Sequence, residues 1–125
     1  MVDKWLAVQA GSRLPDVLAE VERLTLDPVF DIKNPNKVYA LIRSFGANHR
    51  HFHAADGSGY RFMARQITLL DPINPQVAAR LTRTFDRWKR FAAGHQIHAR
   101  AALESVLQTP GLSSGVREIV GKSLA

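Results

Sequence analysis

The chain has 125 residues, enough for one domain with a modest core. Its 17 Lys and Arg against 11 Asp and Glu give a net charge of +6, which suits nucleic acid, an acidic partner surface, or a piece cut from a larger protein whose remainder balances the charge. Cysteine is absent, which excludes disulfides and thiolate chemistry and fits a reducing compartment such as the cytoplasm. No apolar run approaches the roughly 20 residues needed to span a bilayer.

The first predicted elements are two short helices. Residues 4–9 form one, and Trp5 on so short a helix predicts a partner surface and therefore a fragment of a longer protein. Pro15 opens the second, in which apolar residues recur at helical spacing until Asp27-Pro28 stops it.

The third predicted helix begins an internal repeat. Asn34-Pro35 provides an N-cap and a proline at the first helical position. The pattern Asn-Pro, then Leu-x-Arg-Ser/Thr-Phe, occurs at 34–45 and again at 74–85, an offset of 40 residues. That period is close to the 40 to 47 residues of helical-pair repeats and favours an antiparallel helical solenoid of the HEAT or armadillo kind.

The stretch from Gly46 to Gly59 separates the two copies. Its glycines, small residues and histidines predict a loop. Asp56 or Ser58 can cap the next helix, which is predicted over residues 60–70.

The second copy continues as one predicted helix over residues 74–91. Its buried stripe is Val77, Leu81, Thr84, Phe85 and Trp88. Arginines recur on another side of the same helix, at Arg80, Arg83, Arg87 and Arg90. Either this row is solvated, or at least one arginine points into a cavity and meets an anionic or polar ligand.

The remaining chain completes an all-α prediction. Ala93-Gly94 should turn the chain. Residues 95–107 are predicted to form a helix with Ile97, Ala101 and Leu103 among its apolar positions. Residues 116–124 are predicted to form the last helix, after a cap at Ser113 or Ser114. The total is about seven helices in a single domain over 1–125, with no convincing strand.

No catalytic constellation is visible. His49, His51 and His53 invite a metal interpretation, but they alternate along a loop, lack a carboxylate and flank Arg50. The favoured alternative is that His53, beside Phe52, packs or hydrogen-bonds structurally. HExxH, GxGxxG and the P-loop pattern are absent, and Gly57-Ser58-Gly59 lacks the spacing of a nucleophile elbow.

Several blocks in order nevertheless carry a resemblance. They are Asp3-Lys4-Trp5 with Gln9-Ala10, Phe30 with Asn34-Pro35-Asn36-Lys37-Val38, FHAADGSGY at 52–60, NPQVAARL at 74–81, and Arg100-Ala101-Ala102-Leu103-Glu104. Together they resemble the C-terminal helical domain of bacterial aminopeptidase N, over essentially the whole chain.

The resemblance implies a piece of a larger zinc aminopeptidase that removes N-terminal residues from peptides. The zinc and the catalytic residues would lie in a catalytic domain of the same polypeptide, so this chain alone is expected to hold no metal and to be inactive. Its implied role is to cap the active site and to shape the cavity and the access channel for peptide substrates.

Two residues are implied on the substrate side. Arg80 matches an arginine that approaches the substrate cleft in relatives, where a guanidinium can pair with a peptide's carboxylate. Some relatives carry a second basic residue where this chain has Tyr39, which can donate a hydrogen bond or stack instead. The alternative from another class is a stand-alone basic helical module for nucleic acid or an acidic protein, recognised by a steep dependence of affinity on salt.

Overall fold

The computed structural model describes residues 2–12, 16–28, 30–54, 56–86, 88–91 and 93–124. These ranges contain one π-helical turn (Tyr39–Arg43), two 3-10 turns (Arg83–Phe85 and Trp88–Arg90), no strand, and the following α-helices. They are α1 (Val2–Ala10), α2 (Val17–Thr25), α3 (Pro35–Val38), α4 (Ser44–Ala47), α5 (His49–Phe52), α6 (Ser58–Leu70), α7 (Pro75–Thr82), α8 (Ala93–Leu107) and α9 (Ser114–Leu124). No helix in these ranges is both long and apolar enough to cross a membrane.

The predicted all-α array is confirmed. Helix α3, the π turn and α4 run on as one rod over 35–47; with this rod counted once and the four-residue α5 set aside, seven longer helices remain in the described ranges. The two Asn-Pro starts behave as predicted. The Asn34 side chain accepts a hydrogen bond from the Asn36 amide at 3.0 Å, and that of Asn74 accepts one from the Val77 amide at 3.3 Å.

Helix α6 lies at the centre of the array. It packs against α7 and α8, and more lightly against α2 and α5, while α9 covers α7 and α8 and α1 packs on the rod 35–47. A cluster of fully buried aromatic rings joins these layers through edge-to-face contacts, with centroid distances of 5.3 Å for Phe45–Phe62, 5.1 Å for Phe52–Tyr60 and 5.4 Å for Phe52–Phe85. Such pairs add to the free energy gained from burial alone.

Three side chains link distant segments by hydrogen bonds. The Asn48 amide group donates to the carbonyls of Ala10 and Ser12, at 2.9 and 2.8 Å, and fixes the end of α1. The buried Asp71 accepts from the Ser113 amide and hydroxyl, and the Trp88 indole donates to the Ser123 carbonyl at 3.0 Å. The layers are therefore held together by polar contacts as well as by the apolar core.

The prediction of one continuous helix over 74–91 is wrong. Helix α7 ends at Thr82, and two 3-10 turns follow with a break at Asp86. The Asp86 amide bonds back to the Arg83 carbonyl, three residues earlier, as in many tightened helix ends. Four members of the predicted stripe are buried, and the fifth, Thr84, is half-buried; the four are Val77, Leu81, Phe85 and Trp88. The break lets Trp88 reach the Ser123 carbonyl, a long-range contact that local spacing does not show.

Two further segments differ from expectation. The stretch between the repeats is not loop throughout, because Asn48 starts a helical turn, α5, with its carbonyl accepting from the amides of His51 and Phe52. Helix α6 begins at Ser58 rather than at residue 60, with the Asp56 carboxylate accepting from the Ser58 amide. A Cβ at Gly59 would lie 2.5 Å from the His51 carbonyl oxygen, so only glycine allows α6 to approach α5 this closely.

Helix α8 also begins earlier than predicted, at Ala93, so Ala93-Gly94 belongs to the helix and not to a turn. Its inward face differs as well. Leu103 is buried as expected, but Ile97 and Ala101 are exposed, and Ala99, Ala102 and Val106 line the core. Small alanines fill this face because α8 packs closely on α6.

Candidate functional site

A cavity of about 410 Å³ lies where the rod 35–47 meets the end of α7. Its lining combines three arginines with small residues: Arg43, Gly46, Ala47, Arg80, Arg83 and Thr84. We call this cavity the arginine groove.

The structure brings together the two residues that the resemblance implies. The Arg80 Nη1 donates a hydrogen bond to the Tyr39 hydroxyl at 3.1 Å, across 41 positions of sequence. Arg80 is exposed and Tyr39 is half-buried, so the guanidinium is partly fixed and can still meet a ligand. Tyr39 therefore positions Arg80 at the edge of the groove.

The π-helical turn supplies one wall of the site. Tyr39 and Arg43 are its first and last residues, and the Ser44 amide donates to the Tyr39 carbonyl five residues back. The Arg43 guanidinium carbon lies 5.7 Å from the centre of the Tyr39 ring, within the range of cation–π attraction. Tyr39 thus contacts two arginines, one through its hydroxyl and one through its ring. Turns of this kind occur often at functional sites.

The two copies of the sequence repeat meet at the floor of the groove. A Cβ at Gly46 would lie 2.7 Å from the Thr84 methyl carbon and 3.1 Å from the Met63 methyl carbon. This close approach brings Arg43 and Arg83, which are equivalent in the repeat, into one cavity. Arg83 belongs to the arginine row that the sequence indicates, whereas Arg43 was not singled out. The repeat was the signal that could have found Arg43.

The lining of the groove is positively charged, and two carboxylates, those of Asp86 and Glu118, share a neighbouring cavity with Arg83. Within the part of the chain that the structure describes, no carboxylate lines it and none of its arginines forms an ion pair with Asp or Glu. Three other arginines do have such partners on the surface, Arg23, Arg65 and Arg100. A planar guanidinium presents two parallel donors to a carboxylate or a phosphate, so the arrangement fits an anionic ligand.

The arginine row has two further members, Arg87 and Arg90. Arg90 is exposed and lies beyond the helix break, and it does not line the groove. Arg87 lies outside the described residues. Of the described arginines in the row, Arg80 and Arg83 line the groove.

Neither His51 nor His53 lines the groove. His53 Nδ1 lies 2.5 Å from the Tyr60 hydroxyl, and its ring stacks on Phe91 at a centroid distance of 3.9 Å, which confirms the structural role proposed for His53. The side chain of His49 lies outside the description, and His51 is half-buried. Among the described residues no three His, Asp or Glu side chains converge as a metal site would require.

Burial raises the pKa of the Tyr60 hydroxyl above its ordinary value.

Comparison with known families identifies the fold type. The family whose model matches residues 1–125 is described as a domain of unknown function (DUF3458_C) with ARM repeats. The chain belongs to this family. Armadillo repeats are stacked helical units, so the DUF3458_C assignment agrees with the solenoid predicted from the 40-residue offset.

Curated relatives of this DUF3458_C chain include three proteins called aminopeptidase N. Identity is 39% over 125 residues with that of Caulobacter vibrioides, 42% over 126 residues with that of Escherichia coli K12, and 41% over 127 residues with that of Haemophilus influenzae. The matches cover 99 to 100% of the chain and 14% of each relative.

A solved structure is similar over the same extent. It is aminopeptidase A of Legionella pneumophila in complex with aspartic acid, with a TM-score of 0.93 and 39% identity over 98% of the chain. The chain spans only 14% of that protein too. The resemblance of this DUF3458_C chain to the C-terminal region of aminopeptidase N is confirmed across its whole length.

Proposed function

We propose that the chain is the C-terminal helical domain of a longer zinc-dependent aminopeptidase. The observation that carries this is the 39 to 42% identity along the whole chain to one-seventh of three aminopeptidases N. The zinc and the groups that cleave the peptide bond belong to the rest of that polypeptide. This domain caps the active site and shapes the cavity through which peptides enter.

The arginine groove is the substrate side of the cap. Arg80, oriented by Tyr39, pairs with the carboxylate end of a peptide whose amino end lies at the zinc. The absence of an acidic partner for Arg80 among the described residues supports this, because its guanidinium is not already neutralised. The complex of the Legionella relative with aspartic acid makes a carboxylate-bearing ligand the appropriate first probe.

Helix α1 supplies the contact with the catalytic domain. Trp5 is 44% exposed and Val8 is 60% exposed, and their spacing of three places them on one side of α1. A large aromatic and a β-branched side chain, left uncovered together, suit a surface that a neighbouring domain buries. The proposed setting is the cytoplasm.

The test uses the enzyme that contains this chain. Arg80→Ala should raise the KM for a tripeptide about five-fold, the loss expected for one exposed charge-assisted pair, and should leave an aminoacyl anilide nearly unchanged because the anilide has no carboxylate. Arg90→Ala is the matched control, since Arg90 is exposed and remote from the groove lining. Equal effects of Arg80→Ala on the two substrates would remove Arg80 from the cleft.

A second experiment tests the division of labour between the domains. The 125-residue chain, incubated with zinc and an alanyl anilide, should release no product. Robust cleavage would contradict the proposal. Binding of the chain to nucleic acid with a steep loss of affinity in salt would favour the stand-alone basic module instead, but a compact cavity with three arginines fits a small anion better than a phosphate backbone.

A further inference from the structure

The arginine groove contains more positive charge than one peptide carboxylate requires. Arg80 alone, held by Tyr39, can pair with the terminal carboxylate. Arg43 and Arg83 line the same cavity and have no Asp or Glu partner among the described residues. A single carboxylate would pair with one of the three guanidiniums that line the cavity and leave the other two available for a second anionic group.

The arrangement of these two arginines is built into the fold. Both occupy the same place in the repeat, and the contact of Gly46 with Thr84 sets the two helices close enough to share one cavity. Arg43 is also held over the Tyr39 ring. Tyr39 therefore contacts both Arg80 and Arg43, so the terminal-carboxylate site and the additional charge are joined through one side chain.

We propose that Arg43 and Arg83 are specificity-determining residues for a second carboxylate. This rests on the proposed function of the groove and names its substrate class: peptides with an acidic side chain at or next to their C-terminal residue. Arg80 binds the terminal carboxylate, and Arg43 and Arg83 bind the acidic side chain. The groove thereby favours acidic over neutral peptides of the same length.

Three acetylated tripeptides distinguish binding of the terminal carboxylate by Arg80 from binding of an acidic side chain by Arg43 and Arg83. One ends in glutamate and carries two carboxylates, one ends in glutamine and carries one, and the third is the glutamine peptide with an amidated end and carries none. Binding to the chain is followed by nuclear magnetic resonance titration, which detects millimolar affinities. The acetyl group removes the charge of the amino end.

The wild-type chain should bind the glutamate peptide about three- to ten-fold more tightly than the glutamine peptide, the range of partly exposed ion pairs. The double variant Arg43→Gln/Arg83→Gln should bind the glutamate and glutamine peptides equally. It should still bind the glutamine peptide more tightly than the amidated form of that peptide. Arg117→Gln, an exposed arginine outside the groove, should keep the preference for glutamate, which excludes an effect of net charge alone. The single variant Arg43→Gln should reduce the preference in part.

Two results would contradict the inference, and they differ from failure of the proposed function. A wild-type chain that binds the glutamate and glutamine peptides equally overturns it, and so does a double variant that keeps the preference for glutamate. Failure of the proposed function appears separately, as equal binding of the glutamine peptide and its amide. Resonance shifts of Gly46 and Thr84, at the floor of the groove, locate the binding.

Discussion

Among single residues, Gly46 decides how the groove is formed. It lies in α4, where alanine would favour the helix by about 1 kcal/mol, yet its Cβ would lie 2.7 Å from a methyl carbon of Thr84. A β-branched side chain in a helical turn has few other rotamers, so the clash cannot be relieved cheaply. The site therefore requires glycine for reasons of space.

Gly46→Ala should lower the free energy of unfolding by about 1–2 kcal/mol, because the strain of overpacking exceeds the gain in helix propensity. Urea denaturation measures the change. The matched control is Gly121→Ala in α9, where an added Cβ meets nothing within 4 Å and the helix gains about 0.5–1 kcal/mol.

The second variant identifies the cause. Gly46→Ala combined with Thr84→Ser should recover most of the lost stability, since serine lacks the methyl group that clashes. A stable Gly46→Ala single variant, or a double variant no better than the single one, would show that Thr84 does not set the distance between the two helices.

At this scale the sequence predicts only part of the site. Arg80 and Tyr39 are indicated by a resemblance, and the structure joins them with a hydrogen bond. Arg43 is not indicated, because its direction depends on the π turn, and nothing in the local spacing of apolar residues distinguishes a π turn from a regular helix. The 40-residue repeat, which pairs Arg43 with Arg83, is the one sequence signal for Arg43, and it does not show that the two side chains line one cavity.

Among the elements, the ends of the helices carry the connections. Asp71 follows α6 directly, is 5% exposed, and accepts two hydrogen bonds from Ser113, at 2.7 Å from the amide and 2.6 Å from the hydroxyl. Ser113 in turn precedes α9. One carboxylate therefore fixes the start of the last helix to the end of the central one.

Asp71→Ala should lower the free energy of unfolding by about 2–4 kcal/mol, because hydrogen bonds to a charged group are lost and a half-buried amide is left without its acceptor. Thermal or urea unfolding measures the loss. Asp86→Ala, at an exposed aspartate, should stay within about 0.5 kcal/mol of the parent protein. Equal stability of the two variants would mean that Asp71 does not hold α9 in place.

The elements themselves were predictable to different degrees. Asn34 and Asn74 are capping residues with a proline behind them, and both open helices as expected. The interruption after Thr82 was not predictable, because the apolar stripe continues through it. Tertiary contacts, such as the bond from Trp88 to Ser123, decide where such a stripe changes its helix type.

For the molecule as a whole, the centre of the core contains a titratable group. Tyr60 is fully buried among Phe52, Phe85 and His53, and burial raises the pKa of its hydroxyl because the phenolate would be poorly solvated. The pKa of the Tyr60 hydroxyl is therefore higher in the folded chain than in the unfolded chain, where it is near 10. The contribution of the neutral Tyr60 hydroxyl to the free energy of unfolding is fully present below about pH 10. It is lost as the pH rises through the pKa of the folded chain.

The whole molecule should accordingly lose stability in alkali as Tyr60 ionises. The chain has two tyrosines, so in Tyr39→Phe the ultraviolet absorbance of phenolate reports Tyr60 alone. We expect that absorbance to appear above the pH at which the urea-unfolded variant shows it. Coincident titrations in the folded and unfolded protein would contradict the burial of the hydroxyl.

The fold class was the most predictable property of the molecule. The 40-residue offset and helical spacing predicted a helical solenoid, and the family match describes ARM repeats. The orientation of α8 was less accessible, because alanines at 99 and 102 face inward while Ile97 is 68% exposed. Where two helices lie close together, small residues fit the interface and large apolar residues do not. A prediction from hydrophobicity alone then assigns the wrong face of the helix to the core.

The π turn has a consequence for how the chain tolerates change in length. Its hydrogen bond closes over five residues where an α-helix closes over four, so residues 39–43 hold one residue more than a regular turn. Removing one residue there would leave an ordinary helix with Val38 and Phe45 still facing the interior. The shortened chain would keep its fold but lose the contact between Tyr39 and Arg43 at the groove. A single deletion here would therefore remove ligand binding without unfolding the chain.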